Sequence, residues 1–188
     1  MTATLPVITE RQSPHYDDRP QAETVSLLVI HNISLPAAEF SKVPQHSYID
    51  ALFMGELDCT AHPSFAGLAG VRVSAHCVIW RDGSIFQYVP FAKRAWHAGV
   101  SSFAGRERCN DFSIGIELEG TDNLPYTDQQ YKSLINLTLM IMQRYPAITP
   151  ERIAGHCDIA PGRKTDPGTA FDWMRYRDAI KSALKKPI

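Results

Sequence analysis

The 188-residue chain has no surplus of either charge: 19 Lys and Arg stand against 20 Asp and Glu, a formal net charge of -1. A protein that coats nucleic-acid phosphates carries a basic excess, so that class is excluded. Long apolar runs are missing too. The longest early one, Leu27-Leu28-Val29-Ile30, falls far short of the ~18 residues that cross a bilayer. Residues 1–18 hold Glu10, Arg11, Asp17 and Asp18 where a signal peptide has its apolar stretch. Cysteine is sparse. Cys59, Cys77, Cys109 and Cys157 make an even number, yet without an export segment the expectation is reduced thiols and a cytoplasmic location. The chain also lacks internal repeats, low-complexity tracts and an HExxH zinc motif. What is left is ordinary: 44% hydrophobic and 21% charged residues exclude disorder, and the length suits one domain, 1–188, with its own core.

Within that domain, residues 1–12 read as an irregular leader, and the prolines at 6, 14 and 20 extend the irregularity to about residue 25. Ser26 to Asn32 reads as a buried strand, Ser47 to Phe53 as a short helix, and Val73 to Trp80 as a strand. Arg81-Asp82-Gly83-Ser84 supplies turn chemistry before a returning strand at Ile85 to Val89. Pro90 to Asp111 is a long loop, and loops of that length are usually functional or mobile. In Ser113 to Gly120, Ile114, Ile116 and Leu118 take one face while Gly115, Glu117 and Glu119 take the other. Thr127 and Gln130 have capping-box spacing ahead of an amphipathic helix that Pro146 stops. A second helix near Thr169 would bury Trp173, Tyr176, Ile180 and Leu184, with 179–188 as the tail. The fold class is therefore α/β, a central mixed sheet flanked by helices.

Hydrolytic zinc sites use three protein ligands and keep a fourth position for water. Two imidazoles and one carboxylate leave the metal complex positively charged, which favours loss of a water proton. A carboxylate outside the ligand set can carry that proton, and a lysine can stabilise the oxyanion. His31, His156, Asp166, Glu117 and Lys164 fill those roles in that order. Plainer readings stand beside this one. His31 equally serves as a hydrogen-bonded core residue, Glu119 shares the face of Glu117, and Asp166 or Thr169 can cap the helix that follows. His76 reads as a satisfied sheet residue, and Arg106-Glu107-Arg108 as a solvated loop. By spacing alone, zinc hydrolysis and simple ligand binding are nearly level.

Several strings resemble one family. They are Ser26 to Ser34 (SLLVIHNIS), Arg72 to Cys77 (RVSAHC), Lys93 to Gly99 (KRAWHAG), Cys109 to Gly120 (CNDFSIGIELEG), Gly155-His156-Cys157, and Lys164 to Gly168 (KTDPG). The family is the zinc-dependent N-acetylmuramoyl-L-alanine amidases, whose fold is shared with phage T7 lysozyme and peptidoglycan recognition proteins. The resemblance runs over about residues 13–178 and is greatest to the branch that recycles cell-wall fragments in the Gram-negative cytosol. It implies one Zn2+ on His31, His156 and Asp166, Glu117 as proton shuttle and Lys164 as electrostatic stabiliser. It implies a 1,6-anhydro-N-acetylmuramoyl peptide as substrate, cut between the lactyl carbonyl and L-Ala. Arg72 and Arg108 would meet peptide carboxylates, and Asn32 and Trp96 would shape the sugar or lactyl pocket. His97 either lines that pocket or makes a structural hydrogen bond in the Trp96–Gly99 turn. The implied enzyme is a monomer acting on a small soluble muropeptide, with no nucleic-acid or membrane partner. The rival readings are a non-catalytic peptidoglycan-fragment receptor and a zinc carboxypeptidase acting on the stem peptide.

Overall fold

The apolar run before His31 and the alternating strand that carries Glu117 lie side by side inside a six-stranded mixed sheet, in a computed structural model that describes residues 6–185. In chain order the elements are β1 (Ile8–Glu10), β2 (Tyr16–Asp17), β3 (Leu27–Ile33), α1 (Tyr48–Met54), β4 (Cys77–Ile79) and β5 (Ile85–Gln87). There follow β6 (Arg94–Ala95), β7 (Ser102–Phe103), β8 (Arg106–Glu107), β9 (Ser113–Glu119), α2 (Asp128–Arg144), β10 (Ile153–Gly155), α3 (His156–Ile159) and α4 (Trp173–Leu184). The sheet order is β1-β5-β4-β9-β3-β10; β4 and β5 form an antiparallel hairpin and the other neighbours run parallel.

Side-chain alternation decides what each face of the sheet meets. Leu28 and Ile30 of β3 join Ile114, Ile116 and Leu118 of β9 in one core, with Leu134, Leu137 and Ile141 of α2 and Tyr176 and Ile180 of α4. The opposite face sends Leu27 and Val29 to a smaller core with Ala98, Phe112 and Ala154. On that side the row continues to His31 and Glu117. No α-helix of the described residues is long and apolar enough to cross a membrane. All four cysteines are free thiols.

The capping box of α2 forms as its spacing predicts: Gln130 N–H donates to Thr127 Oγ1 at 3.1 Å and Thr127 N–H to Gln130 Oε1 at 3.0 Å. Other expectations need correction. The leader is not irregular at residues 8–10: β1 pairs in parallel with β5 and forms a sheet edge. Arg11 grips the Asp50 carboxylate with Nε at 3.1 Å and Nη2 at 2.5 Å, and the Tyr88 hydroxyl donates to the same group at 2.7 Å. Every one of those partners lies far along the chain, so no local pattern announces the strand.

Of Val73 to Trp80, only Cys77–Ile79 enters the sheet. Ser74 is occupied instead in bridging loops, its N–H donating to Trp96 O and its hydroxyl to His15 O. The last helix begins at Trp173 rather than near Thr169, because Ala170 N–H is held by Asp122 O and Asp172 makes the cap, accepting from Arg175 N–H at 2.9 Å. The tail expected from residue 179 is helical through Leu184, with Ile180 buried and Leu184 itself 51% exposed. Residues 1–5 of the expected leader and 186–188 of the expected tail lie outside the described residues.

Candidate metal centre

Parallel register sets His31 directly beside Glu117 on the neighbouring strand and Gly155 beside Ile30, so the chain leaves β10 into His156 at the level of His31. This is the carboxyl edge of β3, β9 and β10, where open α/β sheets bind ligands. The segment after α3 returns Asp166 to the same place; Cys157 N–H donates to Asp166 O at 2.9 Å and Lys164 N–H to Ala160 O at 3.1 Å.

Three atoms converge. His31 Nδ1 lies 2.9 Å from His156 Nδ1, and Asp166 Oδ2 lies 3.0 Å and 3.1 Å from those two nitrogens. His156 Nε2 donates to Ala98 O at 3.1 Å, so in the neutral ring the lone pair is on Nδ1. Lone-pair atoms this close repel unless a proton or a cation lies among them. Zinc with nitrogen and oxygen ligands at about 2.0–2.2 Å in tetrahedral array spaces those ligands about 3.3–3.6 Å apart, a few tenths of an ångström wider than found here, so the donor set fits with a small outward shift. One ligand atom from each of His31, His156 and Asp166 lies within 4.8 Å of the other two. Burial lowers His31 to about 4, favouring the neutral ligand form, against the opposing effect of the Asp166 carboxylate beside it. For Asp166 burial acts upward, but its close contacts with His156 and His31 prevail and hold it below the usual carboxylate range.

Glu117 is the free acid of the site. Its Oε2 is buried and has no hydrogen-bond partner among the described residues. Burial pushes the carboxyl well above the usual range, the charge of Asp166 adds to that, and the charge of Lys164 opposes it. Glu119, the other carboxylate on this face, is occupied: it accepts from Ser41 N–H at 2.8 Å and Arg81 N–H at 3.1 Å. Of the two, it is Glu117 that keeps a buried oxygen without a partner among the described residues.

Two hollows of about 490 Å³ and 500 Å³ meet at Arg163. Asn32, Lys164 and Asp166 line the first, and Asn32 donates to Asp122 Oδ1 at 2.8 Å. Arg108 lines the second, exposed apart from an ion pair with Asp111 at 3.3 Å. Arg72 and Trp96 line neither hollow. Trp96 stacks on His15 at 6.1 Å between ring centroids and donates to Asp17, while Arg72 borders a separate depression with His15 and Cys59.

His76 is hydrogen-bonded as expected but lies just before β4 rather than in it: its Nδ1 accepts from Gly115 N–H at 3.0 Å and its Nε2 faces Lys93 O at 3.1 Å. Burial lowers it to about 3, with the Arg19 charge acting the same way. An unfolded imidazole titrates near ~6.5, so below that pH the unfolded chain binds protons that folded His31 and His76 refuse. The stability held at neutral pH is therefore lost progressively as pH falls toward about 4. The melting temperature of the metal-free protein should decline from pH 7 to about 4; a flat profile would contradict the buried neutral state.

Comparison with known proteins places these residues in a family. The sequence pattern of a family described as N-acetylmuramoyl-L-alanine amidase matches residues 21–169. The chain belongs to that family. Among its relatives, the 1,6-anhydro-N-acetylmuramyl-L-alanine amidase AmpD of Citrobacter freundii is 63% identical over 176 residues, 94% of this chain and 91% of that protein. The crystal structure of a selenomethionine AmpD derivative superposes with TM-score 0.88 at 61% identity, covering 96% of this chain and 98% of that one. The Escherichia coli amidase AmiD, solved with anhydro-N-acetylmuramic acid-L-Ala-D-γ-Glu-L-Lys as substrate, superposes at TM-score 0.61 and 32% identity, covering 86% of this chain and 60% of that one.

Sequence reasoning missed several residues that build this amidase's site. Arg19, in the supposed leader, donates to the backbone carbonyls of Phe91, Asn110, Asp111 and Ser113 at 2.8–3.1 Å, tying the long loop to β9. Asn110 Oδ1 accepts from both His97 N–H and Ala98 N–H, at 3.1 Å and 2.8 Å. Asp122 holds Asn32. The partners of Arg19 and Asp122 sit in other segments and those of Asn110 at the far end of its own loop, and no local pattern marks them.

Proposed function

We propose that this amidase uses zinc to hydrolyse the bond between the lactyl carbonyl of 1,6-anhydro-N-acetylmuramic acid and L-Ala of the stem peptide. Its setting is the cytosolic recycling of cell-wall fragments. The observation that carries the reading is the convergence of three ligand atoms beside a buried carboxylate oxygen that nothing else engages. His31, His156 and Asp166 would hold one zinc ion, which when bound supplies Lewis-acid polarisation of the carbonyl and of water.

The chain's own groups do the rest. Glu117 takes a proton from the attacking water, and Lys164 offsets the negative charge that develops on the carbonyl oxygen. Glu117 then returns its proton to the amide nitrogen, without which the amine is a very poor leaving group. A buried carboxyl that keeps its proton readily suits this second step. Asn32, held by Asp122, borders the hollow beside the cluster and is positioned for the sugar or lactyl group. Arg108 offers a guanidinium in the adjoining hollow for a peptide carboxylate. For Arg72 and Trp96 the support is the family resemblance; their hydrogen bonds and neighbours lie outside both hollows. The near-neutral net charge suits a small soluble substrate rather than the intact wall.

The deciding experiment incubates the protein with an anhydromuropeptide, with and without chelator, and reads the products by mass spectrometry. Free stem peptide that disappears on chelation is the expected result. Loss of terminal D-Ala with the sugar still attached would mark a carboxypeptidase, and unchanged substrate a receptor.

A further inference from the structure

A metal-binding imidazole must offer one chosen nitrogen, so something has to hold the single ring proton on the other. Here both histidines turn Nδ1 toward Asp166. Each Nε2 meets a polar atom, and the two are carried by adjacent residues: His97 Nδ1 stands 2.9 Å from His31 Nε2, and Ala98 O stands 3.1 Å from His156 Nε2.

His97 can accept only if its own proton is elsewhere. Its Nε2 lies 3.1 Å from Ser113 Oγ, which provides that place. The ring is buried edge-on to His31, with planes 85° apart and centroids 4.9 Å apart. It rests against Gly115, where an added Cβ would come within 2.5 Å of the imidazole; the missing side chain on β9 is what lets His97 lie across the sheet. Asn110 Oδ1 braces the backbone N–H groups of both His97 and Ala98.

We propose that His97 is a positioning residue for the metal centre: by accepting from His31 Nε2–H while donating to Ser113, it fixes the tautomer and ring orientation that turn His31 Nδ1 toward His156 and Asp166. It acts through His31. The inference rests on the metal-dependent reading above, and it predicts that losing this acceptor weakens metal binding by about 10–100-fold.

The test has two arms. Long-range 1H–15N spectra of the metal-free, 15N-labelled protein should show His97 protonated on Nε2 and bare on Nδ1, and His31 protonated on Nε2. A proton on His97 Nδ1 overturns the proposal without any substitution having to fold. In the second arm, zinc affinity is measured by competition with a chromogenic chelator for His97→Phe, which keeps a ring of similar size, and His97→Asn, which keeps an acceptor near the Nδ1 position. The expected result is about 10–100-fold weaker binding for the first and substantial recovery for the second. Equal weakening in both, or wild-type affinity in the Phe variant, overturns the proposal. Failure of the wild-type protein to take up zinc would instead remove the metal reading, while the tautomer spectra still decide the role of His97.

Discussion

Replacing Glu117 by Gln should lower the hydrolytic rate by about 10²–10⁴-fold while leaving zinc uptake at the wild-type level. The substitution keeps the size of the side chain and removes its ability to accept and return a proton. Nothing else in the site can take over. Glu119 is held by two backbone N–H groups, and Asp166 faces the two histidines. Because Glu117 Oε2 makes no hydrogen bond among the described residues, the amide should be accommodated without disturbing a network. Release of stem peptide gives the rate, and atomic absorption gives the metal content. Near-normal turnover with full zinc would remove Glu117 from the mechanism.

The second large effect belongs to His156. On the proposed metal site, His156→Ala deletes one of three ligand atoms and the remaining two should not hold zinc against a moderate chelator, so both metal and activity should be lost. Stability offers an independent measure. A ligand that binds the native state alone stabilises it by about 4 kcal/mol when free at 1,000 times its dissociation constant. The wild-type melting temperature should therefore fall on chelation, whereas that of the variant should not respond. Full zinc stoichiometry in His156→Ala would strike this residue from the ligand set.

Glu117 and His156 both stand out in the sequence, and other elements do so to different degrees. The two faces of Ser113–Glu119 follow from alternation, and the start of α2 follows from Thr127 and Gln130, since each depends only on near neighbours. Glu117 was open to confusion with Glu119 because alternation gives the two the same face; only the contacts with Ser41 and Arg81 separate them. Arg19 and β1 lay hidden in a proline-rich leader, for their partners are 57 or more residues away. His97 had two readings, pocket lining or a hydrogen bond within the Trp96–Gly99 turn, and its ring nitrogens instead meet His31 at 2.9 Å and Ser113 at 3.1 Å, partners that no local pattern marks.

The chain's alternations, caps, turn residues and family-like strings determined by themselves the α/β class, the main strands, the long helix and the set of residues worth testing. Where those residues meet was decided by parallel pairing. His31 and His156 are 125 positions apart, and only the register of β10, β3 and β9, with Asp166 folded back over α3, brings their Nδ1 atoms to 2.9 Å. Side-chain periodicity is a property of neighbouring residues, while a ligand set is a property of strands aligned through hydrogen bonds across long loops.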